Sequence, residues 1–397
     1  MRPSRTRILT VALVALLSAC LLASCGQAAP SSADSGPEQR PIARSTDFHN
    51  PDLGNGWAVE ASTPLEYATR FSIDSYEGGY QLVCVADGMR YLIVPQGVPA
   101  PDGLADDIVV LQQPIGDIYL VASDTMCLFD ALDRMDAITV SGIAQDNWHI
   151  PAAVQAMEDG RIVYGGKYST PDYDTLLVHK CRLAIESTMI NHTPDVRDKL
   201  IELGIPVFTE QSSYEEEPLG RTEWVKVYGA MLGEQGRAQE LFDAQVNAAK
   251  EISGEKTGKT VAFFYINSNG AAVARKPGDY VTKMIALAGG TYIFDSLGDA
   301  SSGMSTVTLE MERFYAEAKD ADVIVYNATI DNGVSSIDDL VRKNELLANF
   351  KAVKEGQVWA TEQNMYQQMM ATGDIIGDFS RMLRGEEDGL TYLHRLG

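Results

Sequence analysis

One amphipathic segment with a strand-and-helix alternation on either side of it constrains this chain more than any other feature. Residues 235–253 read QGRAQELFDAQVNAAKEIS, with Ala238, Leu241, Phe242, Val246, Ala249 and Ile252 at a spacing of three and four. That period puts the apolar side chains on one stripe of a helix. At 1.5 Å per residue the helix is about 30 Å long, enough to run alongside two bodies rather than close a loop between neighbouring strands. Gly233 and Gly236 mark a break, because glycine inside a helix costs about 1 kcal/mol, so an earlier helix is expected over 222–232.

Upstream of the segment, β-rich runs over 68–76, 80–86 and 89–95 are separated by Glu77-Gly78-Gly79 and Asp87-Gly88, the turn dipeptides of an antiparallel meander. Short apolar strands over 108–111, 118–122, 137–141, 183–185 and 206–209 then alternate with helices over 125–134, 150–159, 172–180 and 193–203. Downstream, strands over 261–266, 323–326 and 358–361 alternate with helices over 279–288, 309–319, 337–347 and 373–383. Alternation of this kind predicts sheets covered on both faces. The expected fold is α/β, with two lobes of central, mainly parallel sheet flanked by helices, joined by one long helix. Antiparallel strands begin the N-terminal lobe.

The first residues carry a different signal. Arg2, Arg5 and Arg7 precede the apolar run 8–17 (ILTVALVALL), which is too short to span a bilayer, where roughly 20 apolar residues are needed. Small residues then lead to Cys20 and again, as Leu22-Ala23-Ser24-Cys25-Gly26, to Cys25. Both sites resemble a bacterial lipobox. Cys25 is preferred because a Ser-, Gly-, Ala- and Pro-rich stretch follows it, the composition of a flexible tether. Cleavage there removes three arginines and no acid, moving the formal net charge from −23 to −26. The expected location is the outer side of a cell membrane, held by a lipid anchor. Cys84, Cys127 and Cys181 remain, each in an apolar context, and can form at most one disulfide among themselves.

Composition and motifs exclude several activities. With 32 Lys and Arg against 55 Asp and Glu, phosphate-driven binding of nucleic acid is not expected. Residues 253–260 (SGEKTGKT) approximate a phosphate loop. They have Ser where the first Gly is required, and a strand follows where a helix should begin. No Gly-x-Ser-x-Gly elbow or His-Glu-x-x-His helix supplies a nucleophile or a metal-ligand set. Capture of bare zinc or manganese needs several His and carboxylates in one place, and His149, His179 and His192 lie in separate segments.

The chain resembles the substrate-binding proteins of ABC importers for iron-siderophore, heme and cobalamin complexes. The resemblance rests on YLIVPQG (91–97), VVLQQPIGDIYLVAS (109–123), GGKYSTPDYDTLL (165–177), LAIESTMI (183–190), SSYEEEPLGRTEW (212–224) and FFYINSNGAAVARKPGDYV (263–281). It implies two lobes joined by a rigid helix and divides the chain into a signal peptide (1–24), a tether (25–56), an N-terminal lobe (57–232), the joining helix (233–256) and a C-terminal lobe (257–397). It implies no enzymatic activity and no cofactor. The cargo would be an iron chelate, a corrinoid or a heme, passed by a monomeric receptor to a permease and its ATPase. Cleft residues are then expected on loops at the carboxyl ends of strands. These are Tyr164, Lys167, Tyr168, Glu186, Ser187, Thr188, Tyr214 and Arg221 in the first lobe, and Arg275, Tyr280, Asn327, Met365 and Tyr366 in the second. The same resemblance gives each lobe a surface carboxylate for permease docking, matched here by Asp174 and Glu312.

Overall fold

A computed structural model of the chain describes residues 48–252, 256–294, 296–298 and 305–397. The signal sequence, Cys20, Cys25 and the first part of the tether lie outside them, as does the start of the 253–260 motif. Among the described residues the first sheet comprises β1 (Ala61–Ser62), β2 (Phe71–Ser75), β3 (Gln81–Val85), β4 (Arg90–Val94) and β5 (Ile108–Gln112), side by side in that order. The meander is antiparallel through β4, and β5 then adds in parallel. The meander and the 108–111 strand thus make a sheet of their own rather than extending the next one.

Residues 48–56, whose composition suits a tether, are held against this sheet. Leu53 is fully buried, and Arg90 donates to the carbonyl of Asn50 at 3.2 Å. The buried Asp74 accepts from Ser62 at 2.5 Å and pairs with His49 at 2.7 Å.

The second sheet is built from β6 (Ile118–Leu120), β7 (Ile138–Ser141), β8 (Val163–Tyr164), β11 (Leu183–Ser187) and β12 (Val207–Glu210), with β9 (Gly166–Lys167) and β10 (Thr170–Pro171) forming a small hairpin beside it. All its pairings are parallel, and the order is β12-β11-β6-β7-β8. The chain therefore moves outward from β6 in one direction, then returns and moves outward in the other. The reversal falls between β6 and β11, the kind of switch point where open sheets bind ligands.

The third sheet has parallel pairings at its centre, among β13 (Thr260–Ile266), β17 (Val323–Tyr326) and β18 (Val358–Thr361). Its margins, β14 (Ala272–Arg275), β16 (Thr306–Leu309) and β19 (Leu393–Arg395), are antiparallel, and β15 (Thr291–Tyr292) pairs with β13. The reversal into β14 is a tight turn in which the Asn267 side chain accepts from the backbone of Asn269 and Ala271.

The joining helix spans Gln235–Ile252 and buries Ala238, Phe242, Val246 and Ala249, the stripe expected from its period. The preceding helix, Val225–Leu232, ends at Gly233 with φ of 77°, a left-handed cap that only glycine adopts without strain. Close approach fixes the strut at both ends. A Cβ on Gly229 would stand 2.5 Å from the Ala238 side chain, and one on Gly373 would stand 2.7 Å from the Gln245 carbonyl. A single apolar core then runs from Phe71 and Phe208 through Phe242 to Phe263, Ile376 and Leu393. Because both lobes pack on one strut through one core, they are mechanically continuous.

Separate cores cover the outer face of the second sheet (Tyr119, Val121, Leu176, Ala184), that of the third (Phe264, Phe314, Tyr326) and that of the first (Leu53, Tyr76, Leu82). Cys84, Cys127 and Cys181 are buried free thiols.

Candidate functional site

The inner face of the third sheet begins the site. On β14, Ala272 and Ala274 point into the outer core, so strand alternation sends Val273 and Arg275 to the opposite face, where Phe263 of the neighbouring strand also points. Arg275 donates to the Tyr366 hydroxyl at 2.6 Å and pairs with Asp279 at 3.3 Å. Asp279 is fixed in turn as the N-cap of the Tyr280–Leu287 helix, accepting from the backbone of Val281. Asn327, at the end of β17, donates to the same Tyr366 hydroxyl at 2.9 Å. The Arg275 guanidinium also lies 5.2 Å from the centre of the Tyr366 ring. One tyrosine is thus held by two residues of its own lobe.

From the first lobe, Arg221 enters on the Pro218–Glu223 helix. Its guanidinium sits 4.2 Å from the centre of the Tyr280 ring of the other lobe and 3.2 Å from Asp124, which follows the central strand β6. Asp124 also accepts from the Ser212 hydroxyl at 3.3 Å, and the Ser212 backbone donates to the buried Glu210 at 2.7 Å. Burial and the neighbouring Asp124 push the Glu210 carboxyl up from its ordinary value, against the opposing pull of the Ser212 bond and Arg221.

Arg221, Tyr280, Met365 and Tyr366 line a small pocket that opens to solvent. Met284, Met369 and Ile375 complete its apolar wall, with Gln368 and Thr372 as polar neighbours. Three contacts tie the lobes together around it. Thr222 donates to the Met369 carbonyl at 2.9 Å, and Lys283 pairs with Glu217 at 2.8 Å. The Gln367 amide accepts from the backbone of His149 and donates to the carbonyl of Asn147, both at 2.8 Å.

Six of the residues expected from sequence therefore meet here: Arg221, Arg275, Tyr280, Asn327, Met365 and Tyr366. The others are spread along the carboxyl edge of the second sheet. Tyr164 ends β8 at the sheet margin and is half exposed, and Lys167 and Tyr168 belong to the β9–β10 hairpin. Tyr214 follows β12, with Arg70 at 6.0 Å from its ring centre. Ser187 ends β11 and the buried Thr188 follows it, and the Ser187 hydroxyl accepts from the backbone of Met189.

Glu186 lies one residue earlier and on the other face, sharing its side of β11 with Ala184 of the outer core. It is fully buried, its carboxyl oxygens have no hydrogen-bond partner, and burial raises it to about 8. Asp174 and Glu312 are both exposed, Asp174 on the Tyr173–Val178 helix and Glu312 in the first turn of Met311–Ala318.

Asp124, Glu210, Met284, Gln367 and Met369 also belong to this site and were not anticipated. Asp124 and Glu210 had a readable signal, a polar residue just beyond an expected apolar strand (118–122 and 206–209). Among the described residues, no group of three or more His, Cys, Asp or Glu stands close enough to hold a metal ion, and no helix is long and apolar enough to cross a membrane.

Comparison with known proteins places this geometry. A family model described as periplasmic binding protein matches residues 122–365, a span that starts just after β6 of the second sheet and includes most of the cleft. An uncharacterized lipoprotein of Methanocaldococcus jannaschii, MJ0878, is 27% identical over 336 residues, covering 79% of this chain and 78% of its own length. The petrobactin-binding protein YclQ of Bacillus subtilis superposes with a TM-score of 0.54 at 15% identity, covering 70% of this chain and 97% of its own. The periplasmic heme-binding protein HutB of Vibrio cholerae gives a TM-score of 0.52 at 17% identity, covering 65% and 96%. At such identities the two structures establish a shared fold.

Proposed function

We infer that this chain, which belongs to the periplasmic binding protein family, serves an ABC importer as its substrate-binding protein and is not an enzyme. From that premise we propose that it captures an iron chelate or a related metal macrocycle in the interlobe cleft and delivers it to a permease. The observation that carries this reading is the pocket itself, in which Tyr280 and Tyr366 from one lobe meet Arg221 from the other beside three methionines. Aromatic rings and polarisable thioethers suit the broad, mostly organic surface of a wrapped metal. The packing of both lobes on one strut through one core supports a cargo held between walls whose spacing changes little.

The reading includes a lipid anchor at Cys25. The relative MJ0878 is named a lipoprotein, and the early apolar run, lipobox and small-residue stretch of this chain have the corresponding pattern. It also includes docking through Asp174 and Glu312, which stand exposed on separate lobes.

Titration of the unacylated mature chain with ferric siderophores, heme and cobalamin tests the cargo. Trp148 is a suitable reporter, because its flanking residues Asn147 and His149 bond to Gln367 across the cleft. Micromolar or tighter quenching by one of these compounds is expected. Silence toward all of them, combined with tight zinc binding, would transfer the protein to bare metal ions. Docking is tested by changing Asp174→Arg and Glu312→Arg together. Uptake should be abolished with ligand affinity unchanged, and a parallel loss of affinity would remove both residues from the docking role.

A further inference from the structure

We infer that the cargo is a metal complex of little or no net charge, of the kind a ferric ion forms with three hydroxamates, rather than a polyanionic chelate. This rests on the proposed capture of a metal chelate and names its charge class.

Among the described residues, the cation that lines the pocket, the one that braces it and the one that bridges the lobes beside it each have a carboxylate of the protein. Arg221 is held by Asp124 at 3.2 Å, Arg275 by Asp279 at 3.3 Å and Lys283 by Glu217 at 2.8 Å. The two arginine pairs are shielded, with side-chain exposures of 11% and 16% for Arg221 and Asp124, and 13% and 4% for Arg275 and Asp279. Each guanidinium is further engaged by a tyrosine, through the Tyr280 ring or through the ring and hydroxyl of Tyr366. An anionic ligand would have to displace an internal acid and leave that acid uncompensated in a poorly solvated corner, which opposes binding. The remaining wall, Met284, Met365, Met369 and Ile375 with the two tyrosines, offers apolar and polarisable contact instead. Ferric ion balanced by three singly charged hydroxamates is neutral and presents such a surface, whereas three doubly charged catecholates leave the complex at −3.

The test is equilibrium fluorescence titration of the mature chain with three probes: a neutral ferric trihydroxamate, a ferric tricatecholate, and heme with its two propionates. The trihydroxamate is expected to bind at least about tenfold more tightly than the tricatecholate, with less than about a threefold change between 50 and 500 mM salt. The variant Asp124→Asn, which frees Arg221 while keeping a hydrogen-bonding side chain, should move selectivity toward the tricatecholate by about tenfold, with a circular dichroism spectrum like that of the unaltered protein.

A tricatecholate preference that falls steeply with salt overturns the inference and leaves chelate capture standing. The same holds if Asp124→Asn and Asp279→Asn both leave selectivity unchanged. Silence of the protein and of both variants toward all three probes overturns the chelate reading and this inference with it.

Discussion

Both lobes set an arginine against a tyrosine beside an acid, and they differ in whose tyrosine it is. Arg275 uses Tyr366, which Asn327 also holds, and Asp279, all of its own lobe, so that cluster is complete before any partner surface arrives. Arg221 uses Tyr280 across the cleft and an acid, Asp124, that shares its corner with the buried Glu210. The first arrangement is a frame and the second is a contact. A receptor built this way has one preformed wall and one whose charge balance depends on how the lobes meet.

Removing each arginine separates the two roles and produces the largest effect expected. Arg275→Ala leaves Asp279 buried with its charge unpaired and frees the Tyr366 hydroxyl, so it should cost about 3–5 kcal/mol in denaturant unfolding. Arg221→Ala should cost less, about 1–3 kcal/mol, because Asp124 is more exposed and keeps its bond from Ser212. Equal losses would mean that Arg221 is as much a structural brace as Arg275, and the distinction between frame and contact would fail.

The acids sharpen the comparison next. Among the described residues, only the first lobe buries carboxyls at its parallel strand ends beside this cleft, Glu210 on the inner face and Glu186 on the outer one. Burial raises Glu186 from 4.5 to about 8, so the folded state keeps a proton that the unfolded chain releases once the pH passes about 4.5. The stability linked to that proton is fully present below the unfolded value and is lost as pH climbs toward 8. Glu186→Gln abolishes the titration. It should therefore melt several degrees above the unaltered protein at pH 8, a gain of roughly 2–4 kcal/mol, and close to it at pH 4.5. A variant that gains equally at both pH values would show that Glu186 is ionised in the folded state.

The same residue shows where sequence reading succeeds and where it stops. Glu186 follows a recognisable apolar strand, and its place at the carboxyl end of β11 is legible. Its direction is not, because a shift of one residue exchanges the two faces of a strand, and Ser187 rather than Glu186 lies on the inner one. Strand order is hidden too. Tyr164 and Tyr214 both follow strands, yet β8 and β12 are opposite margins of the second sheet. Four spacings of about 4.8 Å put those strands roughly 19 Å apart. Asp124 follows the middle strand, but its meaning depends on Arg221, 97 residues later. The strut was readable because its stripe extends over 18 residues, whereas β1, β8, β9, β10 and β15 have two residues each and cannot show a period. In the second lobe, Arg275, Tyr280, Asn327, Met365 and Tyr366 were found together because their chain positions converge on one ring.

The smallest expected effect probes that ring directly. Tyr366→Phe keeps the aromatic face over which Arg275 lies and removes only the oxygen that accepts from Arg275 at 2.6 Å and from Asn327 at 2.9 Å. Arg275 retains Asp279, so the loss should be about 1–2 kcal/mol, mostly from the buried amide of Asn327 losing its acceptor. Affinity for a neutral chelate should change by less than about threefold, since the ring rather than the oxygen supplies the contact surface. If Tyr366→Phe costs as much stability as Arg275→Ala, the hydroxyl and not the arginine–aspartate pair holds the wall. The frame would then hang on a single oxygen, and the second lobe would be no more preformed than the first.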